Sequence, residues 1–172
     1  AAFEQTARFW IEVLFVPRRF RPGNVLNHVT WSEPRRWEAI ARADGPLILL
    51  SPYMGNPVIG VLALCRRLGG LSVGVDRLTR VLIDAVRPQA GERGVLRWEP
   101  SLQVLTLPRE APRLGETLEK KAGRLCLLLG PRLGGPGLPV EFLGRACRFP
   151  ATAPRLAARH GARLIVWSCT RL

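Results

Sequence analysis

Histidine is nearly absent from this chain of 172 residues: His28 and His160 are the only two. Lysine is equally scarce, at Lys120 and Lys121, and there is one tyrosine, Tyr53, and one methionine. With so few histidines, set far apart, no Ser-His-Asp grouping can be assembled, and no Gly-x-Ser-x-Gly elbow occurs, so the serine-hydrolase route is closed. The four cysteines, Cys65, Cys126, Cys147 and Cys169, contain no C-x-x-C pair. Three lie in apolar context and read as buried thiols of a reducing compartment. Asp, Glu and His do not gather at ligand spacing, so no metal is expected. Repeats, heptads and low-complexity linkers are missing too, apart from a GGPG run at 134–137 that reads as a turn.

What is abundant is arginine. The chain carries 26 basic residues against 13 acidic ones, a net charge of +13, and all but two of the basic residues are arginine. A guanidinium binds phosphate bidentately, which suits lipid head groups and nucleic acid alike, and biased genome composition is a third source of such an excess. The arginines are scattered rather than packed into a run and no nucleic-acid motif is present, so nucleic acid is the weaker reading. Attraction to an anionic membrane surface is the better one.

Hydrophobic residues make up 47% of the chain, enough for one compact domain. Apolar runs at 47–50, 125–129 and 164–167 read as strands. They alternate with helical spacings at Leu78, Val81, Leu82, Ala85 and at Ala111, Leu114, Leu118. That alternation predicts an α/β fold: a single domain with a mostly parallel or mixed central sheet flanked by helices. Phe3, Ala7, Trp10, Ile11, Leu14 and Phe15 form an apolar stripe at helical spacing, which packs on the core by default and touches a membrane interface in the sharper reading.

The stretch Gly45 to Cys65, GPLILLSPYMGNPVIGVLALC, carries the most information. Leu47 to Ser51 reads as a buried strand ending at Pro52, Asn56 as a helix N-cap, Pro57 as the first helical residue, and Gly69-Gly70 as the stop. The interval from Asp44 to Arg66 is uncharged and about long enough to cross a bilayer, but Pro52, Gly55, Asn56 and Pro57 argue for strand, turn and helix instead. Such a turn aims N–H groups and the positive helix end at whatever lies before it, which suits an anion or a developing oxyanion, although many α/β turns are only scaffold.

This segment resembles the LLSxHxGNWE turn of the bacterial lipid A biosynthesis acyltransferases, a branch of the lysophospholipid acyltransferase superfamily. Val140-Glu141-Phe142-Leu143-Gly144-Arg145 is similar to that family's VPFFGR. Thr152-Ala153-Pro154-Arg155-Leu156-Ala157 with Gly161-Ala162 is similar to its TxGPxxLAxxxGA segment, and Asn24-Val25-Leu26 with His28-Val29 to its NLxxHV linker. The likeness implies a glycerolipid acyltransferase-like fold and transfer of a fatty acyl chain from an acyl-carrier protein or acyl-CoA thioester to a lipid hydroxyl, with no other cofactor. It places substrate contacts at Gly55, Asn56, Arg77, Arg87, Phe142, Gly144 and Arg145. In the family a His and an acidic residue five positions on act as general base and its orienting carboxylate. Aligned on Gly55-Asn56, those positions hold Tyr53 and Val58 here, and the family's later Asp-Gln is Gly130-Pro131.

The resemblance therefore implies an acyltransferase-family protein of glycolipid or phospholipid, lipid A-like, biosynthesis with catalysis impaired. Tyrosine, with an ordinary pKa near ~10, is a poor base at neutral pH. The alternative is a non-catalytic lipid or acyl-chain binding scaffold. The chain is expected to be one acyltransferase-like domain, residues 1–172, trimmed at both ends relative to the family. It is expected to act at the cytoplasmic face of the inner membrane, peripherally or through an anchor outside this sequence.

Overall fold

The computed structural model describes residues 27, 29–52, 55–77, 79–81, 101–129, 137–142 and 144–170. Five strands form one wholly parallel sheet: β1 (Leu47–Pro52), β2 (Leu71–Asp76), β3 (Leu102–Leu107), β4 (Arg124–Leu129) and β7 (Arg163–Val166), in the order β3-β2-β4-β1-β7. A separate antiparallel ribbon, β5 (Leu138–Phe142) and β6 (Arg145–Phe149), follows β4. Four helices are described: α1 (Pro34–Arg42), α2 (Pro57–Leu68), α3 (Pro112–Glu119) and α4 (Thr152–His160). This is the single-domain α/β architecture that the alternating pattern predicts.

Alternation along the strands sorts the core into two layers. Leu47 and Leu49 of β1, Leu71, Val73 and Val75 of β2 and Cys126 of β4 face α1 and α2, where they meet Ile40, Val61, Leu64, Cys65 and Leu68. Ile48, Leu105, Leu125 and Leu127 face the other way, against Leu114 and Leu118 of α3 and Ala153 of α4. Helices on both faces explain why β1 and β4 read as near-continuous apolar runs. Each fully buried leucine contributes roughly 1.5–3 kcal/mol, and Leu47, Leu49, Leu62, Leu64, Leu105, Leu114, Leu125 and Leu127 are all fully buried.

The sequence signals around α2 hold in detail. Asn56 is its N-cap, its side chain accepting the Ile59 N–H; Pro57 opens the helix; and Gly69 closes it in the left-handed region at φ 73°. The uncharged interval from Asp44 to Arg66 is thus strand, turn and helix. Among the described residues no helix is long and apolar enough to cross a membrane. Pro52 is the last residue of β1 rather than a stop before it. The helix at Ala111, Leu114, Leu118 appears as α3, while the one over Leu78 to Ala85 falls mostly outside the described residues. The segment from Phe3 to Phe15, Asn24 to Leu26 and His28 also lie outside them.

Elsewhere, backbone carbonyls hold the layers together through arginine. The Arg124 guanidinium donates to the carbonyls of Leu68 and, at 2.9 Å, Ala41, tying β4 to the ends of α2 and α1. Arg67 lies over the Trp31 ring at 4.7 Å, and Trp31 meets Trp37 edge to face at 5.2 Å. Such contacts are worth ~0.5–1 kcal/mol each at partly exposed sites. Part of the arginine excess is therefore structural.

Candidate functional site

Parallel strands followed by helices place their turns along one edge of the sheet, and ligands of such folds bind there. Here that edge carries the turn between β1 and α2, the end of β2 with Asp76 and Arg77, and the end of β4 that leads to the β5–β6 ribbon.

The β1–α2 turn is held from outside by the chain that follows β7. Trp167 N–H donates to the Leu50 carbonyl at 2.9 Å, and Asn56 N–H donates to the Cys169 carbonyl at 2.9 Å. Gly55, at φ 66°, forms a parallel bridge with Cys169. A Cβ at Gly55 would collide with the Cys169 carbonyl. One at Gly60 would collide with the Trp167 ring and lie 2.8 Å from Cys169 Cβ. Two glycines, one on each side of the α2 N-terminus, thus let residues 167–169 lie flat against it.

The clamp and the helix cap together take most of the N–H donors at the start of α2. Asn56 N–H is taken by Cys169, Ile59 N–H by the Asn56 side chain at 3.2 Å, Gly60 N–H by the Asn56 carbonyl at 3.2 Å, and Pro57 has none. Val58 N–H is the one donor of the first turn with no partner among the described residues. A lone donor on a half-buried valine is a poor oxyanion hole compared with the paired donors that acyl transfer uses. Asn56 is itself buried, 3% exposed, so its side chain serves the helix cap.

The other residues implied by the family resemblance are distributed as follows. Arg77 is exposed at the end of β2, on the same edge as the turn but two strands away across β4, about 10 Å at ordinary strand spacing. Gly144, at φ 72°, and Arg145 are exposed at the tip of the ribbon, where Arg145 pairs with Phe142. No hydrogen bond or ion pair joins this tip to the β1–α2 turn among the described residues. Tyr53, Arg87, Gly130 and Pro131 lie outside the described residues. Val58 occupies the second position of α2 with no carboxylate in its place.

No described histidine reaches this edge. His160 ends α4, just before Gly161 in the left-handed region, and α4 leads into the start of β7, so His160 sits at the opposite edge of the sheet. Its Nδ1 is 4.0 Å from Glu119 Oε1. Among the thiols, Cys65, Cys126 and Cys147 are buried and Cys169 is half-buried. Burial pushes the Cys126 thiol up to about 12, which removes it as a nucleophile at neutral pH. Trp167 lies close enough to favour the Cys126 thiolate slightly, yet the indole N–H makes no hydrogen bond of normal geometry. We regard this as a weak contact, since sulfur is a poor acceptor. No group of three or more His, Cys, Asp or Glu side chains that could hold a metal occurs among the described residues.

One feature is not legible in the sequence. A hollow of about 410 Å3 opens between α1 and the ends of β1 and β7, lined by Arg36, Trp37, Ile40, Pro52, Ile165 and Trp167 among others. Arg36 is paired with Glu33 at 3.1 Å. The hollow is half open to solvent, and its lining mixes these apolar side chains with Ser32, Glu33, Arg36 and Ser168. Its walls come from three separated segments, which is why only the fold assembles it.

Fold and edge together define a parallel α/β domain with a strand–turn–helix at the carboxyl end of its sheet. The chain matches no protein-family model. It is similar to a phosphatidylinositol mannoside acyltransferase of Mycolicibacterium smegmatis, 26% identical over 176 residues, which covers 98% of this chain and 54% of that protein. The chain thus spans about half the length of the curated relative it matches. This distant likeness supports the coarse assignment to acyltransferases of lipid metabolism.

Proposed function

We propose that the chain is the acyltransferase-type domain of a glycolipid-modifying protein, of lipid A-like type, that engages an acyl thioester and a lipid hydroxyl but is impaired in the family's histidine-based transfer. In that reaction a base takes the acceptor proton, the alkoxide attacks the thioester carbonyl, and the C–S bond breaks as the thiolate leaves. The observation that carries the impaired reading is the β1–α2 turn: its first-turn donors, Val58 N–H apart, serve the fold or are missing, and the acid position is Val58. The tyrosine at the base position supports the same reading from sequence.

The alignment of nearly the whole chain with the mycobacterial acyltransferase and the cavity beside Pro52 support lipid or acyl binding. By this reading the acyl donor is an acyl-carrier protein or acyl-CoA thioester. The acceptor class to assay first is a mannosylated phosphatidylinositol, after the relative's name. The domain works at the cytoplasmic face of a membrane, where its net charge of +13 draws it to anionic lipid. A scaffold that binds lipid without transferring acyl groups is the alternative that the occupied donors favour.

Acyl transfer from radiolabelled acyl-CoA to phosphatidylinositol mannoside tests this directly. The natural chain should bind a fluorescent acyl probe and show little or no turnover, and Tyr53→His with Val58→Glu should raise turnover. Failure of either chain to bind acyl probe or acceptor would sink the acyltransferase reading.

A further inference from the structure

We propose that the outer edge of β7 is a docking site for an extended acidic segment of a partner protein, which adds to the sheet as a further strand. The inference goes beyond the acyl-transfer reading and does not use its site. Two strands bound the sheet, β3 and β7, and their outer edges differ. Leu71 N–H donates to the Ser101 carbonyl at 3.2 Å, so by the alternation of a parallel ladder Ser101, Gln103 and Leu105 turn their backbone groups to β2, and Val104 and Thr106 turn theirs outward. Three of those outward groups are taken. Arg80 Nη1 donates to the Val104 carbonyl at 3.3 Å, Thr106 N–H to the Glu110 carboxylate at 2.7 Å, and Glu110 N–H to the Thr106 carbonyl at 2.8 Å. No residue of β3 is exposed.

The β7 edge has no such cover among the described residues. Arg163 N–H donates to the Pro46 carbonyl at 3.0 Å and Trp167 N–H to the Leu50 carbonyl at 2.9 Å, so Arg163, Ile165 and Trp167 face β1, and Leu164 and Val166 turn N–H and C=O outward. The outward groups of neither residue meet a hydrogen-bond partner among the described residues. Register puts Leu164 beside Ile48 and Val166 beside Leu50, so both side chains share one face, 41% and 67% exposed, while Arg163 is exposed on the other. Free main-chain groups give strand addition its affinity, and alternate side chains give it specificity. Charge selects the occupant. Arg163 on the strand and Arg155 and Arg159 on α4, which packs against β7, are exposed, and a net charge of +13 repels a second copy. Of the acids near the two ends of the strand, Asp44 precedes β1, and Glu33 is paired with Arg36. A complementary segment alternates apolar residues, which cover Leu164 and Val166, with acidic ones, which meet Arg163 on the other face.

Fluorescence anisotropy of the full chain with a labelled peptide of alternating Glu and Val tests the assignment, against a peptide of the same composition with its valines consecutive. Thermal melting shows that each variant folds. The alternating peptide should bind about 5-fold more tightly than the block peptide or better, and should slow amide exchange at Leu164 and Val166 about 10-fold. Val166→Pro removes an outward N–H and no bond to β1, so it should weaken binding about 5-fold or more. Val166→Asp should weaken it as much by repulsion, with the backbone intact should Val166→Pro fail to fold. Val140→Asp, the same charge change on the β5–β6 ribbon, should stay within about 2-fold of the natural chain. Equal binding of the two peptides, or equal losses in Val140→Asp and Val166→Asp, would overturn the proposal in favour of diffuse charge. Unchanged binding in Val166→Pro and Val166→Asp would overturn it outright. A natural chain that sediments as a dimer and turns monomeric in Val166→Pro would overturn it too, giving the edge to a second copy.

Discussion

The β1–α2 turn and the β5–β6 ribbon, the two segments singled out from the sequence, are built in opposite ways. The described part of the turn is closed by contacts: Asn56 caps α2, Cys169 takes the Asn56 N–H, and Gly55 and Gly60 leave no room for a Cβ. The ribbon is open: a Cβ at Gly144 would meet nothing within 4 Å, and Arg145 is exposed to solvent. Segments picked out by the same kind of sequence likeness can therefore be packing in one place and surface in another. Resemblance alone does not tell these apart, and burial with hydrogen-bond inventory does.

Substitutions should break this contrast in a definite order. The largest effect belongs to the clamp: Gly60→Ala pushes a methyl into the Trp167 ring and Gly55→Ala into the Cys169 carbonyl, so each should cost roughly 3 kcal/mol in urea unfolding. Next, Asn56→Ala removes the side-chain cap of α2 and should cost ~1–2 kcal/mol, with faster amide exchange at Ile59. On the ribbon, Gly144→Ala meets only backbone strain at φ 72° and should cost ~1 kcal/mol. Arg145→Ala should leave unfolding within about 0.5 kcal/mol. A ribbon variant as damaging as Gly60→Ala would remove the contrast.

A pH effect arises outside both regions, at the corner before α3. The Thr106 backbone N–H donates to Glu110 at 2.7 Å and, with Arg113 at 2.6 Å, holds this half-buried carboxyl below its ordinary value of 4.5. With the folded pKa depressed, its contribution is present above pH 4.5 and is lost as pH falls through the folded value. Glu110→Gln should therefore differ slightly from the natural chain at neutral pH and converge with it in acid, as acid-unfolding curves can show.

The β1–turn–α2 unit was legible because its signals are local: an apolar run, Pro52, Asn56-Pro57 and Gly69. Strand β2 is harder to read, since Ser72 and Gly74 interrupt its apolar residues. The structure explains Gly74, where a Cβ would meet Leu127 Cδ2 at 2.8 Å and Leu107 Cδ1 at 3.2 Å, so neighbouring strands supply the missing side-chain volume. The ribbon shows in sequence as a motif rather than as strands, because Pro139 and Gly144 mask a five-residue strand pattern. Of the candidate site, the sequence offers only residue identities, Tyr53 and Val58, at the positions that the family resemblance implies. The cavity, the clamp by residues 167–169 and the consumed donors are long-range pairings that no local signal encodes.

The central proposal is that Asn56 and its neighbours at the start of α2 serve mainly the fold and that Tyr53 supplies no base. The most direct measurement is the acyl-transfer rate of the natural chain beside Tyr53→Phe, with acyl-CoA and phosphatidylinositol mannoside at matched concentrations. The account predicts equal rates for the two, both close to the uncatalysed reaction. Turnover in the natural chain that disappears in Tyr53→Phe would contradict it.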